Sequence, residues 1–264
     1  MLEHAEEGEA LYPRNIGISA PGGESVYELF VLGRSRVGAL KDISSLIALH
    51  KIDITSNGRY QVYPSGEFVL TAFLDFKETR ATPDMLVSEI RALPFIKRAE
   101  IARPHHSIFE RYLFPVTIMD KHRVIVFRIE PLLQIEKRLE EFLGSAGETI
   151  MFEMGRSYGL AIVEAYRKDM PLLEGESLIR RIAAGARVTG WGLFEFASFE
   201  NDKIDVTIFE PPTAVNPKVG KSWFTYGLVA GLIEGAYGLK VGVMADSYDA
   251  ESRTLRLKLS RIAR

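Results

Sequence analysis

One carboxylate, Glu234, lies inside the otherwise apolar stretch from Trp223 to Leu239. A carboxylate in such a place must be ion-paired, exposed or protonated. An arginine or a backbone group is its expected partner, and a ligand-facing role is the alternative. Five aromatic residues, Phe152, Tyr158, Trp191, Trp223 and Tyr226, stand with it as candidates for an apolar ligand, together with Gly227 and Gly231. Rings beside bare glycines can enclose a flat apolar cavity. The same residue types make ordinary core if side chains fill the space.

Other chemistry is thinly supplied. The chain has no cysteine, so disulfides, thiolate metal sites, iron–sulfur clusters and thiol catalysis are excluded. Its five histidines are His4, His50, His105, His106 and His122; none stands in a convincing pattern with a serine and a carboxylate. The adjacent His105 and His106 lack further ligands at metal-binding spacing and read as surface residues. Gly220-Lys221-Ser222 matches the end of a phosphate-binding loop, but the glycine required five residues earlier is Val215. With no dinucleotide fingerprint either, no catalytic constellation, cofactor or metal is expected.

The glycines carry a different signal. Gly227, Gly231 and Gly235 recur every fourth residue, and Gly238 follows. Inside a helix each costs about 1 kcal/mol relative to alanine, so something must press against the bare face. Gly155 and Gly159 repeat the spacing in an earlier helix. Two such faces either pack together or open onto a cavity.

Composition sets the outer limits. At 264 residues the chain is long for one domain and comfortable for two. Its hydrophobic content of 47%, charged content of 26% and net charge of −2 are those of an ordinary globular protein. The basic residues are dispersed, which gives no electrostatic reason to expect nucleic acid or an anionic membrane. A bilayer span needs about 20 apolar residues, and Glu234 interrupts the one apolar stretch, so no membrane span is expected. The opening MLEHAEEGEALYPRN lacks the basic start and apolar core of a signal peptide. A cytoplasmic location is therefore expected, with residues 1–25 as a flexible amino-terminal segment.

Residues 26–103 read as an α+β unit in the order β-α-β-β-α-β, the ferredoxin-like split arrangement. Val26 to Leu32 is a strand, and Gly38 to His50 a helix with Leu40, Ile43, Leu46 and Ile47 toward one side. Ile52 to Tyr63 and Glu67 to Phe76 form a hairpin around Pro64-Ser65-Gly66. Thr82 caps a helix with Pro83 at its first position, and the last strand runs from Phe95 to Ala102. On Gly38 and the loop Gly33 to Val37 before it, this unit resembles an ACT domain, a regulatory module that pairs into dimers and binds amino acids or other small effectors. The resemblance implies effector binding by Arg34, Arg36 and Gly38. Arg36 and Val37 replace the family's usual acidic residue and proline, so a purely dimerising role stands beside effector binding.

Residues 104–121 read as a linker. Beyond it, Val124 to Ile129 is expected as a strand and Pro131 to Phe142 as a helix with Leu132, Ile135, Leu139 and Phe142 on its buried stripe. Further helices are expected over Glu148 to Lys168 and Ser177 to Gly185, and strands over Gly190 to Phe199 and Lys203 to Ile208. The glycine helix follows, then strands over Lys240 to Ser247 and Thr254 to Leu259. The fold class is α+β, the second domain (122–264) being an α/β arrangement of helices packed on an antiparallel sheet.

In their order, Gly155 and Gly159, Gly190-Trp191-Gly192 with Glu195, Ser222-Trp223, the glycine ridge and the closing hairpin make this domain resemble the 4-vinyl reductase, or hydrocarbon-binding, domain. That fold is shared with the TRAPP vesicle-tethering subunits. The resemblance implies an apolar cavity for a small hydrophobic ligand, as in bacterial transcriptional activators that sense phenols, and a homodimer. Metal-binding members carry cysteine and acidic ligands where this chain has Ser222, Ala245 and Tyr248, so no zinc site is implied. The expected function is a small-molecule-binding regulatory protein that passes its ligand state to a downstream protein, with an amino-acid effector as a second candidate ligand. The alternatives are an enzyme or accessory protein acting on a vinyl-bearing or tetrapyrrole substrate, and a ligand-free scaffold.

Overall fold

The computed structural model describes residues 25–103, 116–118, 122–197, 202–212 and 222–262, with the backbone alone at 56–58. The expected amino-terminal segment and most of the expected linker lie outside the described residues, as do His4, His105, His106 and Gly220-Lys221. The chain divides into two compact units, with the change near Ile125 and Val126.

In the first unit, β1 (Val26–Arg34), α1 (Ala39–Leu49), β2 (Asp53–Val62), β3 (Glu67–Asp75), α2 (Pro83–Ala92) and β4 (Ile96–Ala102) follow one another in the expected order. The strands form an antiparallel sheet in the order β2-β3-β1-β4. Leu29 and Val31 of β1 join Phe68, Leu70, Ala72 and Leu74 of β3 in a core with both helices. The other face of these central strands is also buried, at Phe30 and Phe73, which accounts for near-continuous apolar runs where simple alternation would suit a half-exposed sheet. The helix α1 buries Ala39, Ile43 and Ile47. Leu40, expected inside, is 45% exposed, because the i, i+4 row from Ala39 sets the buried line. At α2 the Thr82 hydroxyl accepts the Met85 N–H at 3.3 Å and Pro83 opens the helix. A short ladder, β5 (Thr117–Ile118) with β6 (His122–Arg123), completes this unit.

The second unit begins with α3 (Ile129–Leu143). The strand expected over Val124 to Ile129 is absent: Val124 to Arg128 have no regular structure. The β5–β6 ladder ends with the Val124 N–H donating to Val116 O at 2.9 Å, and Pro131 suits the first turn of a helix. The helix α3 turns only part of the expected stripe inward, Leu132 and Leu139 being half-buried. Ile135 and Phe142 are 52% and 78% exposed, whereas Leu133 and Glu136 are buried. Gly144, at φ 54°, separates α3 from α4 (Ser145–Asp169). Gly147 lies inside α4, where a Cβ would overlap the Leu139 carbonyl of α3.

Next come α5 (Gly175–Thr189), β7 (Leu193–Phe196), β8 (Lys203–Phe209), α6 (Trp223–Tyr237), β9 (Val241–Asp249) and β10 (Thr254–Arg261). Of the strand expected over Gly190 to Phe199, Leu193 to Phe196 form β7, Gly190 ends α5 in the left-handed conformation, and Ser198 and Phe199 lie outside the described residues. The four strands form an antiparallel sheet in the order β7-β8-β10-β9. Ile204, Val206 and Ile208 of β8 join Leu255, Leu257 and Leu259 of β10 in one core with α6. The helix α6 is apolar all round and buried along most of its length, as a central helix must be. Ser222 caps it by accepting the Thr225 N–H at 3.2 Å, and Gly238 ends it at φ 69°.

Candidate ligand site

The glycines of α4 and α6 face one another. A Cβ added at Gly227 would overlap the Phe152 carbonyl oxygen, and one at Gly231 would overlap that of Arg156. The converse holds for Gly155 against Phe224 and Gly159 against Leu228, and at Gly235 the Val163 Cβ would lie at 2.9 Å. Backbone therefore meets backbone along the crossing, close enough for Cα–H···O contacts. The space beside Gly227 and Gly231, expected to line a pocket, is filled at these positions by α4. Tight packing is the outcome at the ridge.

Glu234 lies on α6 within the same contact. Its Oε2 accepts the Arg156 Nε–H of α4 at 2.7 Å, and its Oε1 accepts the Val241 N–H of β9 at 3.0 Å. Arginine and backbone both supply partners, so both carboxylate oxygens are used in the fold. Arg156 also reaches Glu153 at 3.0 Å. The hydrogen bond to Glu234, followed by the pair with Glu153, holds the guanidinium pKa above its ordinary value despite partial burial.

The candidate rings fall into two groups. Trp223 and Tyr226 meet edge to face at 5.8 Å, and the Tyr226 hydroxyl donates to Asp246 Oδ2 on β9 at 3.0 Å. Burial first, then the Asp246 charge, push this phenol well above its ordinary pKa. Tyr158 and Trp191 meet at 5.9 Å, and both pack on Phe224, at 6.1 and 5.8 Å. Phe152 is partly buried against the core of the unit.

Two rings of this group, Tyr158 and Phe224, line an open groove along α4, of about 680 Å³, together with Ile150, Glu153, Met154 and Ser157. Ile150, Met154 and Tyr158 repeat every fourth residue, so they form one row on the helix. That row is exposed. Phe224 was not singled out from the sequence, and neither were Ile150 and Met154. Their spacing was a readable signal, although it does not distinguish an outer row from a buried one.

The first turn of α6 is tied to α3 by Glu136. Its Oε1 accepts the Ser222 hydroxyl at 3.1 Å and the Phe224 N–H at 3.2 Å. A carboxylate is favoured at a helix amino terminus, by up to about 2 kcal/mol in partly buried geometries, yet burial outweighs this and raises the Glu136 pKa. A carboxyl whose pKa rises on folding stabilises the fold in its protonated form. That contribution is complete below the unfolded value and is lost as pH rises through the folded one. The stability of Glu136→Gln relative to the parent should therefore increase with pH from about 4.3, the unperturbed glutamate value, and level off above the folded value. Urea titrations at several pH values measure this; a difference independent of pH would contradict it.

The candidate effector residues lie in the first unit. Gly38 caps α1 at φ 85°, a conformation that favours glycine. Arg36 pairs with Asp42 and stacks over the Phe95 ring at 4.2 Å from its centroid, so its guanidinium is held by the domain itself. The Arg34 side chain is exposed, and its backbone N–H donates to Phe95 O at 2.9 Å. At Gly33 a Cβ would lie 2.6 Å from the Phe68 ring. His50 Nε2 lies 2.7 Å from Glu89 Oε2. Among the described residues no group of three or more histidine, aspartate or glutamate side chains could hold a metal, and no helix is long and apolar enough to cross a membrane.

No protein-family model matches the chain, and no curated protein matches it. Among solved structures it is similar to the phenol-responsive sensory domain of the transcription activator PoxR with phenol, at 12% identity over 55% of this chain and 84% of that one, TM-score 0.47. It is similar to a vinyl-4-reductase family protein from Methanocaldococcus jannaschii, at 13% identity over 53% and 99%, TM-score 0.34. A trafficking protein particle complex subunit 3 from Naegleria fowleri, covalently bound to palmitic acid, is similar at 12% identity over 51% and 95%, TM-score 0.37. At these identities and TM-scores none of them assigns this chain a family, a ligand or an activity.

Proposed function

We propose that the chain is a small-molecule-binding regulatory protein, and that its second unit takes a flat apolar or aromatic ligand in the groove along α4. The observation that carries this reading is the convergence of Tyr158, Trp191 and Phe224 beside that groove. Such rings offer large apolar faces at little cost in side-chain entropy, while Glu153 and Ser157 add polar contacts at the rim. The ligand site thereby moves from the glycine crossing to the outer side of α4. The ACT-like reading of the first unit supplies a homodimer and a second candidate ligand, an amino acid. The protein would act in the cytoplasm by passing its ligand state to a downstream protein, without catalysis of its own.

Phenol and palmitic acid, the ligands of two of the similar structures, and the amino acids serve as probes in thermal-shift and calorimetric titrations of the full chain. Phenol or palmitic acid should raise the melting temperature, and Tyr158→Ala should weaken its binding by about 3- to 10-fold, as expected for loss of one ring contact. Tyr158 is 44% exposed, so this variant should fold. The groove reading fails if neither compound binds, or if either binds as well to Tyr158→Ala.

A further inference from the structure

We infer that Glu136, on α3, is the positioning residue for the ring wall of the α4 groove: its carboxylate fixes the first turn of α6, and with it Phe224 against Trp191. The geometry is specific. One oxygen, Oε1, receives both the Ser222 hydroxyl and the Phe224 N–H, and Glu136, Ser222 and Thr225 are all buried. Phe224 therefore has its backbone held from α3, its carbonyl pressed on Gly155 of α4, and its ring against both Trp191 and Tyr158, which also touch each other. A residue fixed at three points leaves its ring little freedom. Loss of the α3 contact would unpair a backbone N–H at the base of the wall.

Among the described residues, the groups acting on the carboxylate come from α3 and from the start of α6. Glu140 is the like-charged neighbour on α3, while α6 presents the two hydroxyls and the Phe224 amide. A change of charge on Glu136 thus reaches α6 chiefly through Ser222 and Phe224. Any movement of Phe224 changes the surface that Trp191 stacks on.

This inference rests on the groove reading for its consequence in binding, but not for its geometry, and the two are tested separately. In nuclear magnetic resonance titrations of the full chain from neutral to acid pH, the Phe224 amide and the Trp191 indole N–H should shift along one curve. Both should stay flat in Glu136→Gln. The chain has two tryptophans, and Trp223→Phe assigns their indole signals. A Trp191 signal that ignores pH in the parent, or an inflection that persists in Glu136→Gln, overturns the inference.

In binding, Glu136→Ala should weaken phenol by about tenfold, the scale of one unpaired buried donor, and Glu136→Gln, which keeps the acceptor, should stay within about twofold. Equal affinity in a folded Glu136→Ala also overturns the inference. If Glu136→Ala does not fold, the titration of the parent and Glu136→Gln still decides. If the parent binds no phenol, the groove reading is weakened while the Trp191 titration still decides the role of Glu136.

Discussion

Gly227→Ala should destabilise the second unit by about 3 kcal/mol or more, the upper range for overpacking a close contact. Ordinary helix energetics point the other way, since alanine is favoured over glycine by about 1 kcal/mol in a helix interior. The contact decides the sign. The new methyl would overlap the Phe152 carbonyl, which belongs to the backbone of α4, and a helix backbone cannot swing aside as a side chain can. The expected fall in melting temperature is about 2–4 °C per kcal/mol for a unit of this size. Gly238→Ala is the control. No atom lies within 4 Å of a Cβ built there, so only the strain of φ 69° remains, worth about 1–2 kcal/mol. A Gly227→Ala protein as stable as its parent would show that α4 and α6 do not meet as described.

Glu234→Ala should cost about 3 kcal/mol, at the low end of the range for breaking a buried ion pair. Two losses combine: the Val241 N–H of β9 is left without its acceptor, and Arg156 loses its shortest carboxylate contact. The discount has a structural reason. The Arg156 side chain is 23% exposed and keeps Glu153, so its charge is not stranded. Glu234→Gln retains an acceptor for Val241 and should cost about half as much. Urea unfolding with an unchanged slope measures both variants. A loss below about 1 kcal/mol for Glu234→Ala would place the pair among surface salt bridges.

The first unit was largely legible in the sequence because its signals are local. A turn at Pro64-Ser65-Gly66, a threonine cap before Pro83 and strands of the right length fix each element without reference to distant residues. The second unit was less so, and α3 shows why. Regular spacing selects Leu132, Ile135, Leu139 and Phe142, of which Leu132 and Leu139 are half-buried while Ile135 and Phe142 point outward. The row that packs contains Glu136, whose charge disguises a buried position until the amino end of α6 is placed beside it. The run Val124 to Phe127 has strand-forming residues, yet among the described residues it adds only the Val124 bond to Val116 at the end of a short ladder, and pairing cannot be read from propensity.

The glycine ridge carried a more instructive ambiguity. Bare backbone serves a ligand and a neighbouring helix equally well, so spacing located the face but not its occupant. Glu234 was legible because a carboxylate in an apolar helix has few options, and both expected kinds of partner occur. Phe224 was passed over for its neighbours Trp223 and Tyr226. Its position in the ring cluster depends on the α4 crossing and on Trp191 from beyond α5.

The joining of α4 to α6 also has a consequence for the order in which the chain acquires structure. Arg156 and Glu234 are 78 residues apart, so the glycine face of α4 must stay uncovered until α6 has been synthesised. The first unit completes its sheet by Ala102 and can form while the remainder is still being made. In the second unit, α3 and α4 can meet early, but their partner α6 follows only after α5, β7 and β8, and contacts of such long separation slow folding. Until then α4 shows water its glycine side as well as its apolar outer row. That interval is when this protein is most exposed to aggregation during synthesis.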